Sequence, residues 1–302
     1  MKRTNPRPTK GEKILIEKDL QMAELRLLVA NYYLTQEMRK RLDMQIRHLG
    51  DKELLPISVQ GPEIFAGYEE GIAKTFKKML PNNPVARWIV AQRGIGPIIA
   101  AGLLSHIDIK QAPTAGHIWR FAGLDPSMKW KKGKKRPYNA QLKQICWHAG
   151  QCFMKQSNDP DCFYGKLYRS KKQHYIARNE AGGFADKAKV YKGVVDAANK
   201  KLLAAGKVPP AYIDACARRF AVKIFLSHLQ IVLYWHEYKQ VAPKPFALTV
   251  MGHAHEIEIP HVEMFPALAK AYYKTGIKGS ERAGTRESTA GSERADERES
   301  TV

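Results

Sequence analysis

The tetrapeptide Gly94-Ile95-Gly96-Pro97 has the residue types of an anion site. Glycine permits positive φ and close backbone approach, and proline has its φ already set for a first helical turn. A helix starting at Pro97 would present amides without acceptors and the positive end of its dipole, which together suit a phosphate oxygen. The flanking runs VARWIVAQR and IIAAGLLSHI both read as helix, so the layout is a helix-hairpin-helix with Arg93, Gly94, Ile95 and Gly96 as candidate backbone-binding residues. A plain glycine turn between packed helices is the alternative. Further along lies Lys129-Trp130-Lys131-Lys132-Gly133-Lys134-Lys135-Arg136, six basic residues in eight. Cations beside an aromatic ring suit a surface that tracks a phosphate chain, and Trp130 either stacks on an exposed base or supports the loop from beneath.

Other chemistry is weaker. Tyr138 is a nucleophile candidate by residue type alone. Cys146, His148, Cys152 and Cys162 invite a zinc reading, but Cys146 and Cys152 fall about 240° apart on a helix, so buried thiols are expected and no metal site is assigned. In GHAHEIEIPH, residues 252–261, His253 and His255 share one side of an extended strand and Glu256 and Glu258 the other, which is a polar hairpin face before it is a metal site. Arg218 and Arg219 lie beside an apolar helix face, placed to reach phosphates or to pair with acidic neighbours. No phosphate-cradling nucleotide loop and no serine-hydrolase elbow is present.

The elements that must position these groups are mainly helical. From 12 to 49, Ile16, Leu20, Leu27, Leu34, Met38, Leu42, Ile46 and Leu49 recur at helical spacing, which predicts one long amphipathic helix and a surface for pairing with a second copy as a homo-oligomer. A second helix is expected over about 62–80, closed by PNNP. After the hairpin unit the pattern gives Ile118 to Leu124, the basic loop, and helices over about 139–155, 161–178 and 211–240. Ile213, Phe220, Ile224, Leu229, Leu233 and Trp235 form the apolar face of the last. Ala247 to Ile259 alternates enough for a short hairpin. The fold class is therefore mainly α. The expected domains are a basic tail (1–11), an N-terminal helical segment (12–80), a helix-hairpin-helix domain (81–178), its helical completion with the short hairpin (179–278) and a disordered polar repeat (279–302).

Charge narrows the partner. The 302 residues carry a net charge of +21, and neutralising phosphates releases condensed counterions, so a polyanion is the expected ligand. The terminal repeat holds four arginines against five glutamates and one aspartate, leaving the positive excess to the rest of the chain. An anionic membrane surface is the competing sink for this charge. No stretch is apolar enough to span a bilayer, and nucleic acid, with no membrane, is the expected partner. Four cysteines in a chain of this size fit a reducing cytoplasm.

The order RGIGPIIAAGLLSHI, RFAGLDP, a basic loop, NAQLKQICWHAG, DPDCFYGKLY and ACARRFAVKIFLSHLQIVLYW, over roughly residues 85 to 240, resembles the C-terminal half of transposases in the insertion-sequence 110/116/902 family. The resemblance implies DNA transposition through a serine nucleophile, with an N-terminal RuvC-like domain carrying metal-binding acidic residues and a guiding structured RNA. It also implies a Ser-Gly pair shortly after the GL-x-P motif. Here that motif is Gly123 to Pro126, the glycine in the expected region is Gly133, and Lys132 precedes it. Ser127, directly after Pro126, is the loop's serine and hence the catalytic candidate, with a turn-capping role as the alternative. The first eighty residues contain no buried strand opening a RuvC-like domain. The resemblance therefore implies a transposase or recombinase that grips duplex DNA, with Mg²⁺ as cofactor if it cuts and none evident otherwise. The alternative is a non-catalytic DNA- or RNA-binding regulatory module derived from such an enzyme.

Overall fold

The computed structural model describes the backbone of residues 10–50, 56–128, 130–193, 196–243 and 257–274, and side chains from residue 22 to residue 272 within those stretches. The fold is mainly α, and no strand occurs among the described residues. Most of the hairpin expected over Ala247 to Ile259 lies outside the described residues, as do the repeat at 279–302 and residues 1–9 of the basic tail; Ile257 to Ile259 are not in a strand. The chain divides into two compact units, Met1–Arg87 with Gly96–Ile107, and Trp88–Ile95 with Asp108–Val302.

In the first unit α1 (Lys10–Leu49) packs against α2 (Pro56–Met79), and both meet α4 (Pro97–His106). The α1 helix has the extent its periodicity predicts. The α2 helix starts earlier than expected, because Pro62 stands inside it and not at its first turn. A proline there removes one i to i−4 hydrogen bond, and the helix continues through it. Phe76 and Leu103 are fully buried and Val29 nearly so. Among the described residues the acidic side chain buried in this core is Glu69, held by Arg39 in a two-pronged bond of 2.7 and 3.1 Å, a geometry that matches guanidinium to carboxylate. The α4 helix is apolar around its circumference and buried along most of its length.

The second unit is organised around α10 (Pro210–Tyr238), on which α5 (Ala115–Phe121), α6 (Ala140–Lys155) and α7 (Phe163–Glu180) pack. Phe225 is its hub. Its ring lies 6.1 Å from Trp88, nearly parallel, and 5.5 and 5.2 Å from Phe153 and Tyr164, edge-on. Polar bonds then fix the chain around the aromatic cluster: Trp88 Nε1 donates to Pro260 O (2.8 Å), Trp119 Nε1 to Lys223 O (3.0 Å) and Gln230 Nε2 to Pro113 O (2.8 Å). Of the apolar face expected on this helix, Ile213 and Leu229 are buried, whereas Phe220, Ile224, Leu233 and Trp235 are partly exposed. The deepest positions include Ala217, Ala221, Phe225 and Leu226, because helices press on α10 from several sides. Two short helices, α8 (Ala185–Lys189) and α9 (Ala197–Ala204), precede α10. The last described helix is α11 (Pro266–Lys274).

His228 makes this unit sensitive to acid. It is 3% exposed, with Tyr164 Oη 2.9 Å from Nδ1 and Ile257 O 3.1 Å from Nε2. Nε2–H donates to the carbonyl, so Nδ1 accepts from the tyrosine and the ring is neutral. Burial pushes its pKa down to about 4, against an ordinary value of 6.5. Between those values the unfolded chain binds a proton that the folded one refuses, so stability is lost as pH falls through that window. The full loss is on the order of 3 kcal/mol. Urea titrations at about pH 7 and about pH 4 should show it, and His228→Gln should shrink the difference.

Candidate nucleic-acid interface

The hairpin follows α3 (Pro84–Ala91) and is closed by Gln92 N–H donating to Ile89 O (3.2 Å) and Ile95 N–H to Gln92 O (2.9 Å). Only one of its glycines needs positive φ: Gly94 sits at +93°, while Gly96 is extended at −92°. A Cβ on Gly94 would stand 3.3 Å from Gln156 Cγ and 3.5 Å from Cys152 O, so this side of the bend rests on the end of α6. A Cβ on Gly96 would meet nothing within 4 Å. Gly96 caps α4 without a side-chain bond and Pro97 has no N–H, which leaves the amides of Ile98 and Ile99 without an acceptor inside the helix. Ile95 is buried, and Gly94, Gly96 and Pro97 are partly exposed.

Arg93 is exposed but not free. Its Nε donates to Asp159 Oδ2 at 2.6 Å, and its carbonyl accepts from the Cys162 thiol at 3.4 Å. The Asp161 amide and then the Arg93 guanidinium hold the Asp159 carboxyl below its ordinary pKa. The hairpin's cation is therefore tied to the connection between α6 and α7.

The basic loop is the opposite case. Lys131, Lys132, Lys134, Lys135 and Arg136 are all exposed, and among the described residues none of them meets a carboxylate. Lys129 lies outside the described residues. The loop fastens itself: Trp130 Nε1 donates to Lys134 O (2.7 Å), Lys134 N–H to Lys131 O (3.1 Å), and the Arg136 guanidinium stands 5.4 Å over the indole. Gly133 supplies the positive φ of 84° that the turn requires. Trp130 thus braces the loop, with its N–H and one face already engaged. Five cations stand within a few residues of one another with no counter-charge among the described residues.

Ser127 closes a turn. Its amide and its hydroxyl both donate to Asp125 Oδ1, at 2.9 and 2.7 Å, the pattern of an Asx turn. Tyr138 packs against Gly123: a Cβ there, at φ +66°, would lie 2.8 Å from the ring. On that ring stands Lys143 Nζ, 4.5 Å from the centroid. Sequence reasoning passed over Lys143, although it leads α6 just after the Asn139 cap, whose side chain accepts from Leu142 N–H.

The cysteines form no metal centre here. Cys146 and Cys162 are buried, and desolvation pushes the Cys146 thiol up to about 12. Among the described residues no three or more His, Cys, Asp or Glu side chains stand together to hold a metal ion.

Hairpin, GLDP turn, basic loop and α6 thus follow one another in a single stretch of chain. Residues 89–163 match the family model of the transposase IS116/IS110/IS902 family. The match covers about a quarter of the chain and supports a transposase-related role in DNA transposition. It takes in Gly94, Gly96, Ser127 and the whole basic loop. No curated protein and no solved structure matches the chain. Among the described residues no helix is long and apolar enough to cross a membrane.

Proposed function

We propose that the chain is a DNA-binding protein of the transposase or recombinase type that grips the phosphate backbone through the loop at Lys131–Arg136 and the hairpin at Gly94–Gly96. The observation that carries this reading is the self-braced loop of exposed, uncompensated cations inside the transposase-family segment. Cations already partnered by carboxylates gain little from a phosphate, whereas these five gain it in full and release condensed counterions. The hairpin contributes amides more than charge, since Arg93 is committed to Asp159. Trp130 has its N–H and one face engaged within the loop, which favours duplex backbone over stacking on single-stranded RNA. The Ser127 hydroxyl, closing its own turn on Asp125, favours a non-catalytic binding module over strand transfer by this chain alone.

Two measurements test the grip. Anisotropy titrations of a labelled duplex across a salt series should give a log-log slope near −5 if about six phosphates are neutralised, and a slope near zero removes the reading. Gly96→Ala tests the hairpin separately. Its φ suits alanine and the added methyl meets open space, so the melting temperature should not change. A phosphate that reaches the Ile98 and Ile99 amides from the open side of Gly96 would meet that methyl, so the variant should weaken duplex binding about fivefold, roughly 1 kcal/mol. Unchanged affinity would leave the loop as the sole grip.

A further inference from the structure

Within the second unit, α6 and α10 enclose a pocket of about 270 Å³. Lys143, Cys146, Trp147 and Gly150 recur at three- and four-residue spacing and so share the face of α6 that lines it. From α10 come Arg218, Arg219 and Val222. Gly150 lets the two helices close on one another, since a Cβ there would lie 3.1 Å from Val222 Cγ2. Cys146 and Val222 are buried and give the pocket an apolar floor, while Trp147 is 55% exposed at its edge.

The cations around it are unequal. Arg218 Nε lies 2.8 Å from Asp214 Oδ2, a carboxylate that also takes Lys172 at 3.0 Å and the Tyr168 hydroxyl, so Arg218 already shares a counter-charge. Arg219 donates to the Cys216 sulfur (3.2 Å) and Lys143 leans on the Tyr138 ring. Among the described residues neither meets a carboxylate. An apolar slot, an exposed indole and two uncompensated cations describe the complement of a flat aromatic ring carrying a nearby anion. The Cys146 thiol stays protonated to about pH 12 and so sets no negative charge against that anion.

We propose that this pocket receives one unstacked nucleobase of the bound nucleic acid, its ring against Trp147 and its phosphate between Lys143 and Arg219. The proposal rests on the nucleic-acid-binding reading above and gives it a second, structure-selective contact. Base stacking on an aromatic side chain is sequence-tolerant, so the pocket selects an unpaired base and not a particular letter. Lifting a base from a duplex opposes its own pairing and stacking, so a base that is already extrahelical enters most readily.

The test compares a fully paired duplex with the same duplex carrying one bulged 2-aminopurine, in titrations of the full-length chain and of Trp147→Ala. The wild type should bind the bulged duplex about tenfold more tightly and change its 2-aminopurine fluorescence. Trp147→Ala should bind both duplexes with the affinity the wild type has for the paired one, and its melting curve should match the wild type because the indole is largely exposed. Equal wild-type affinities, a preference that survives in Trp147→Ala, or a variant that weakens both duplexes alike overturns the pocket and leaves the backbone grip standing. Failure of the wild type to bind either duplex overturns the backbone grip, and the pocket falls with it. Lys143→Gln with Arg219→Gln provides a second variant, expected to lose more affinity for the bulged duplex than for the paired one, and an equal loss on both counts against the pocket.

Discussion

Changing Lys131, Lys132, Lys134 and Lys135 together to glutamine is expected to lower duplex affinity by on the order of 10²- to 10³-fold near physiological salt and to flatten the salt dependence by about 3 to 4 units of log-log slope. All four side chains are exposed, and among the described residues none meets a carboxylate, so the folded protein does not depend on them. Trp130 bonds to the carbonyl of Lys134, not to its side chain, and the loop should keep its shape in the variant. Melting temperature and helical content should stay at wild-type values while the titration curve moves. A variant that binds as tightly as the wild type, with the same slope, would mean that the phosphates are neutralised elsewhere. The change in slope is more informative than the change in affinity, since it reports how many phosphates the four lysines neutralise.

Phe225→Ala should produce the largest loss of stability. The ring is fully buried and meets three other aromatic rings from α3, α6 and α7. Deleting such a ring costs about 3–5 kcal/mol through lost burial and the cavity left behind. Total folding stabilities are only about 5–15 kcal/mol, so a large part of the margin is removed. A urea titration followed by tryptophan emission should show the midpoint falling with little change in slope. Phe225→Leu, which keeps most of the volume, should cost less than half as much. Equal midpoints for wild type and Phe225→Ala would show that α10 is not the organising element of the second unit. The effect on DNA binding should appear only under conditions where the variant unfolds.

The helices were legible in the sequence where periodicity and an end signal coincide. Asn139 caps α6, and the apolar repeat carries α1 over Lys10–Leu49. The start of α2 was not, because a proline reads as a first-turn residue and Pro62 stands further in. The buried face of α10 was partly misplaced: Phe220, Ile224, Leu233 and Trp235 stay partly exposed while small positions such as Ala217 and Ala221 lie deepest, because periodicity reports one stripe and this helix is packed by three others. At the interface, residue types pointed to the basic loop, and what Trp130 does there depended on which carbonyl its N–H would find. The partner of Arg93 lies 66 residues away, a separation at which no local pattern signals an ion pair. The pocket was invisible for the same reason: Lys143 and Trp147 share a helix face, but Arg219 joins them only through the packing of α6 on α10.

The indole clasp at Trp130 has a kinetic meaning. A flexible run of lysines has to be frozen out of many arrangements as it settles on a polyanion, and that ordering opposes the attraction. Here the turn at Gly133, the carbonyl of Lys134 and the stacked guanidinium of Arg136 have already done the freezing during folding. On the proposed reading the charges would arrive as a preset stamp, and contact with the polymer should be a matter of collision and ionic atmosphere, with no slow rearrangement of the loop backbone to follow.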